Sequence, residues 1–112
     1  MEIKTGDWKG EKHVPTIDVQ EKEHGYHITV MVGKEIPHPN TPEHHIAWIE
    51  LYFKPEGTDI PLMVGRAAFT VHGEIATNPR AEFCLKTEKK GELIALSYCN
   101  IHGLWEGKAR IQ

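Results

Sequence analysis

The sequence predicts an all-β chain folded as a sandwich, on three observations. Apolar residues recur with period two along most of the 112 residues. Turn signals divide that alternation into about seven short runs, the pattern of two packed antiparallel sheets. No long stretch carries the 3.6-residue period of an amphipathic helix.

The runs justify themselves in order. "PTIDVQ" is a short strand. "YHITVMVG" sets Tyr26, Ile28, Val30 and Val32 on one face. "IAWIELYF" sets Ala47, Ile49, Leu51 and Phe53 on one face and Ile46, Trp48, Glu50 and Tyr52 on the other. "PLMVGRAAFTV", "RAEFCLKTE", "ELIALSYC" and "LWEGKARIQ" complete the set, with Ile94, Leu96 and Tyr98 sharing a face. The separators are "EHG" at 23–25, "PEGTD" at 55–59, "HGEIATNP" at 72–79 and "EKKGE" at 88–92. A single helical turn is expected at "NTPEHH", with Thr41 as N-cap and Pro42 at the first helical position. The large side chains on both faces of "IAWIELYF" fit burial against another subunit, or a cover of loops.

A chain of this length fits one domain, residues 1–112, burying roughly two-thirds of its unfolded surface. Thirteen basic against 16 acidic residues, net charge -3, does not predict nucleic-acid binding. No apolar run approaches the ~20 residues of a membrane helix. The start, "MEIKTGDWKGEKH", lacks the apolar core of a secretory signal, so a cytoplasmic protein is expected. Two cysteines make no disulfide scaffold, and Cys84 is expected as a small core or interface residue. Eight histidines raise the expectation of a metal, since imidazole is the commonest transition-metal ligand.

Three segments carry candidate ligands: "GEKHVP" with Glu11, Lys12 and His13; "EIPHPNTPEHHI" with His38, His44 and His45; and "SYCNIHG" with Cys99 and His102. A sandwich gathers its loops at two ends, so three loops can converge on one ion. One thiolate among imidazoles suits iron, copper or zinc rather than magnesium or calcium. Three histidines and a cysteine would close a zinc shell. Four histidines and a cysteine would leave one octahedral position open. A blue-copper carrier is a further reading, but "CNIHGLWEGKARIQ" lacks the axial Met of such sites. A plain binding sandwich without metal also stays open at this point. His24, His27 and His72 read as ordinary surface or edge histidines.

Taken together, "EKHVP", "HPNTPEHHIAWIELYF" and "CNIHGLWEG" resemble the non-haem iron superoxide reductases, the neelaredoxins and the matching domain of desulfoferrodoxins, over about Trp8 to Ile111. The resemblance implies an immunoglobulin-like seven-stranded antiparallel β-sandwich. It implies one mononuclear iron, with His13, His38, His44 and His102 equatorial and Cys99 axial. It implies reduction of superoxide by one electron to hydrogen peroxide, at a sixth position kept open opposite Cys99. Glu11 and Lys12 fall where the family has a glutamate and a lysine. Glu11 would cap the oxidised iron, and Lys12 would steer the anion and hold a water that delivers a proton. The electron would come from a donor protein such as rubredoxin. The one-iron type is often a homotetramer, and the chemistry suits anaerobes because no dioxygen is produced. The "NIHG" turn is expected to offer a backbone N–H from Ile101 or His102 to the Cys99 sulfur, and Trp105 to pack near the site.

Overall fold

The computed structural model describes residues 3–6 and 13–112. Glu11 and Lys12 therefore lie outside the described residues. Seven strands form: β1 (Thr16–Lys22), β2 (Gly25–Met31), β3 (Ile46–Pro55), β4 (Leu62–Ala68), β5 (Arg80–Leu85), β6 (Gly91–Cys99) and β7 (Gly103–Ile111). Every one falls on a run expected from period-two alternation. They make an antiparallel sandwich of a three-stranded sheet, ordered β1-β2-β5, and a four-stranded sheet, ordered β4-β3-β6-β7. The immunoglobulin-like fold is present.

Inward residues of the two sheets meet in one core. Ile28 and Val30, with Val32 just past β2, come from the small sheet. Ile49, Leu51, Phe53, Leu93, Ala95 and Ile111 come from the large one. Burying each such aliphatic side chain contributes about 1.5–3 kcal/mol. On β6 the inward set is Leu93, Ala95, Ser97 and Cys99, so Ile94, Leu96 and Tyr98 share the outer face.

The structure corrects three expectations. Ile46, assigned to the outer face of β3, is 1% exposed and belongs to the core. The register against β6 slips there, from Ile46↔Cys99 to Trp48↔Tyr98, so Ala47 is an extra residue in the ladder. That bulge turns Ile46 inward beside Cys99. Cys84 is exposed, because β5 buries Ala81 and points Glu82 and Cys84 outward. It lies opposite His27 in the β2–β5 register and is not a core residue. Residues 41–44 form a bend rather than a helical turn. Thr41 Oγ1 does accept from the His44 N–H (3.1 Å), as an N-cap would. Thr41 N–H and His44 N–H each also donate to the other's carbonyl, and β3 begins two residues after His44, so no helix propagates.

Candidate metal centre

The end of β6 and the turn after it supply the first donors. Cys99 is the last residue of β6 and is wholly buried. The turn to β7 brings His102 back over it, and the His102 backbone N–H donates to Cys99 Sγ at 3.4 Å. This is the bond expected from the "NIHG" turn, and His102 is the residue that makes it. Such a donor drains charge from a thiolate and raises the potential of any metal it holds. The His102 ring turns Nδ1 toward the sulfur, 3.9 Å away.

His13 reaches the same place from the other end of the chain. Its carbonyl accepts from Ser97 Oγ at 3.1 Å in a buried bond. Its ring stacks on Trp105, with centroids 4.5 Å apart and planes 16° apart. Trp105 is wholly buried and walls off one side of the site, as expected. Two residues after His13, the Pro15 carbonyl lies against the Cα of Gly107, where any Cβ would overlap it.

The loop between β2 and β3 supplies two more histidines. Gly33 turns with φ +80°, a left-handed conformation that favours glycine, and the backbone N of His38 packs 2.6 Å from where its Cβ would stand. His38 Nδ1 donates to the Pro39 carbonyl at 2.6 Å, which leaves Nε2 as the lone-pair nitrogen. His44 follows through the Thr41 bend. His45 turns its Nδ1 back to the Thr41 carbonyl, 2.9 Å away, and is a neighbour of the cluster rather than part of it.

The four imidazoles stand at the corners of a near-square. Centroid separations around it are 4.7 Å (His13–His38), 4.8 Å (His38–His44), 4.9 Å (His44–His102) and 4.9 Å (His102–His13). Neighbouring rings are close to perpendicular, at 79°, 78°, 79° and 87°. The His13–His44 diagonal is 6.5 Å, so those two rings stand about 3.2 Å from their midpoint, which suits metal–nitrogen bonds of about 2.1 Å. His13 Nε2 and His102 Nδ1 are 3.1 Å apart, the spacing of adjacent corners of a coordination shell. Donor atoms of His13, His44, Cys99 and His102 all lie within 4.8 Å of one another.

His38 stands beside these four residues by its ring, next to His13 and His44, but is not part of that close donor group. Three nitrogens and one sulfur within that distance fit a first-row transition metal, with the His38 ring as a fourth imidazole at its edge. A trigonal His2Cys copper set does not use a square of four imidazoles. His13 and Cys99 are fully buried, while His44 and His102 are half-buried, so the pocket opens on that side. Sequence reasoning missed Ser97 and Asn100. Both act on backbone groups far away in the chain, and no local pattern marks such a partner.

Known proteins align with this chain over almost its whole length. The desulfoferrodoxin family model matches residues 5–108. A superoxide reductase of Pyrococcus abyssi (strain GE5 / Orsay) is 63% identical over 110 residues, covering 98% of this chain and 96% of that protein. The crystal structure of a superoxide reductase in the oxidized state matches with a TM-score of 0.94 at 54% identity, covering 98% and 96% of the two chains. That of a superoxide reductase (neelaredoxin) from Archaeoglobus fulgidus in the reduced form matches with a TM-score of 0.90 at 55% identity, covering 98% of each.

Proposed function

We infer the chemistry of this site from the premise that the chain belongs to the desulfoferrodoxin family. It is a superoxide reductase with one mononuclear iron as cofactor, and it needs an external electron donor. The near-square of four imidazoles beside a buried thiol carries this conclusion. When bound, the iron supplies the one-electron couple by which superoxide and two protons become hydrogen peroxide.

The residues proposed to hold the iron are His13, His38, His44, His102 and Cys99. Their support is the square of rings and, for His13, His44, Cys99 and His102, the closeness of the donor atoms. His38 is oriented by its bond to Pro39 O, and His13 by the Trp105 stack. The His102 N–H tempers the Cys99 thiolate, which favours the ferric state less than a bare thiolate would. Glu11 is proposed as a further residue that would hold the iron in its oxidised state. Lys12 is proposed to draw the anionic substrate in and to hold a water that delivers a proton. The sequence supports both roles by placing them directly before His13.

Rubredoxin is the proposed donor, and 1–112 the proposed single domain. A homotetramer in the cytoplasm of an anaerobe is the proposed setting. The outer face of the four-stranded sheet supports an assembly of copies. There Trp48 stacks on Tyr98 (5.6 Å, 10°) and Arg66 lies 5.2 Å over Trp48, residue types enriched in interfaces.

The test is metal content with the visible spectrum before and after ascorbate. One iron per chain is expected, with a sulfur-to-iron charge-transfer band that bleaches on reduction. An intense blue copper band would point to electron carriage instead. A zinc protein that rejects ferrous iron on reconstitution would leave a structural site.

A further inference from the structure

Asn100 follows Cys99 directly, and three hydrogen bonds join it to the segment that carries His44. Its Oδ1 accepts from the His45 N–H at 2.8 Å. Its Nδ2 donates to the Glu43 carbonyl at 3.0 Å. Its own backbone N–H donates to the His45 carbonyl at 3.1 Å. The carboxamide thus grips the residue on each side of His44 and leaves the His44 ring to the pocket. Only a side chain that both donates and accepts can make this pair of bonds. Aspartate accepts but cannot donate when ionised, and alanine does neither.

Among the described residues, Asn40 Nδ2 ties the loop before this segment to the Thr77 carbonyl (2.8 Å), and the bonds within 41–45 close that stretch on itself. Thr41 and His44 exchange backbone bonds, and His45 Nδ1 meets the Thr41 carbonyl. They shape the bend without locating it relative to Cys99 and His102. Asn100 does locate it, because it is covalently next to Cys99 and two residues from His102. β3 starts only at Ile46, so strand pairing begins too late to hold His44 itself.

We propose that Asn100 is a positioning residue of the metal centre: its carboxamide sets where the His44 imidazole stands relative to Cys99 and His102, and thereby sets metal affinity and ligand field. The proposal rests on His44 being a ligand. A group that orients a metal ligand from behind is typically worth about 10–100-fold in affinity.

The experiment titrates metal-free protein with Co2+ and records affinity and the visible ligand-field spectrum. It compares the wild type with Asn100→Ala, Asn100→Asp, His44→Ala and the Asn100→Ala/His44→Ala double variant. Asn100→Asp retains the bond from the His45 N–H and keeps the test usable should Asn100→Ala not fold. Both Asn100 variants are expected to bind Co2+ roughly 10–100-fold more weakly, with shifted ligand-field bands. In the His44→Ala background, Asn100→Ala is expected to add no further loss. Unchanged affinity and bands in the Asn100 variants would overturn the proposal. So would a loss in the His44→Ala background equal to that in the wild type, since Asn100 would then act through something else. Undiminished cobalt binding by His44→Ala would instead remove His44 from the ligand set, and the proposal with it.

Discussion

Cys99 and His102 lie three residues apart in a turn, and that spacing lets one residue serve the site twice. The His102 ring turns toward the pocket while its backbone N–H donates to the sulfur. This was legible in "CNIHG" because a turn folds a nearby N–H onto a preceding side chain. Ser97 and Asn100 were not legible, because their partners are carbonyl and amide groups 84 and 55–57 residues away. Lys12 is proposed to act at this scale too, by charge. The substrate is a small anion and the net charge is -3, so a local cation must offset a repulsive background. Lys12→Ala is expected to slow the second-order reaction with superoxide roughly tenfold at low ionic strength and to flatten its salt dependence. Pulse radiolysis at several salt concentrations measures both, and an unchanged low-salt rate refutes the steering role.

Among the elements, β6 organises the centre. Its inward face runs from core residues Leu93 and Ala95 to Ser97, which holds the His13 segment, and to Cys99. The strand was evident from alternation, but the bulge at Ala47 on its neighbour was not. An extra residue leaves the pattern of apolar side chains almost intact, and only pairing with β6 exposes the slip. β7 contributes through an absence of side chain: at Gly107 the Pro15 carbonyl takes the space a Cβ would need. Gly107→Ala is expected to push the 13–15 segment away, costing about 1–3 kcal/mol, or roughly 5–15 °C in Tm. Because the same push moves His13, metal affinity should fall as well. Calorimetry and metal titration on this one variant check both. A melting temperature equal to that of the wild type would show that the segment accommodates a methyl group there.

For the whole molecule, the centre ties together parts of the chain that the strand ladders leave separate. His13 and His102 are 89 residues apart in sequence, yet their ring nitrogens lie 3.1 Å apart. A metal held by the proposed ligands would join the segment before β1, the loop between β2 and β3, and the turn between β6 and β7. Binding to the folded chain alone stabilises it, by about 2.7 kcal/mol at free metal a hundred times Kd. Removing the metal with a chelator is therefore expected to lower Tm by roughly 10 °C. Restoring ferrous iron should recover it in the wild type and fail to do so in His13→Ala. Equal melting curves with and without metal would mean the loops are held by the protein alone.

The sequence by itself determined the seven strands, because period-two burial is written locally along each run and turn residues punctuate it. It also marked the histidines and the cysteine, whose chemistry is rare enough to stand out. Only the tertiary structure decided that Ile46 is core, that Cys84 is exposed and that 41–44 is a bend. Only it showed that Ser97 and Asn100 bond to, and Gly107 packs against, the segments that carry the proposed ligands. Each of those outcomes depends on what lies opposite in a neighbouring strand or loop, and such a partner is set by register and packing, which no local stretch of sequence contains.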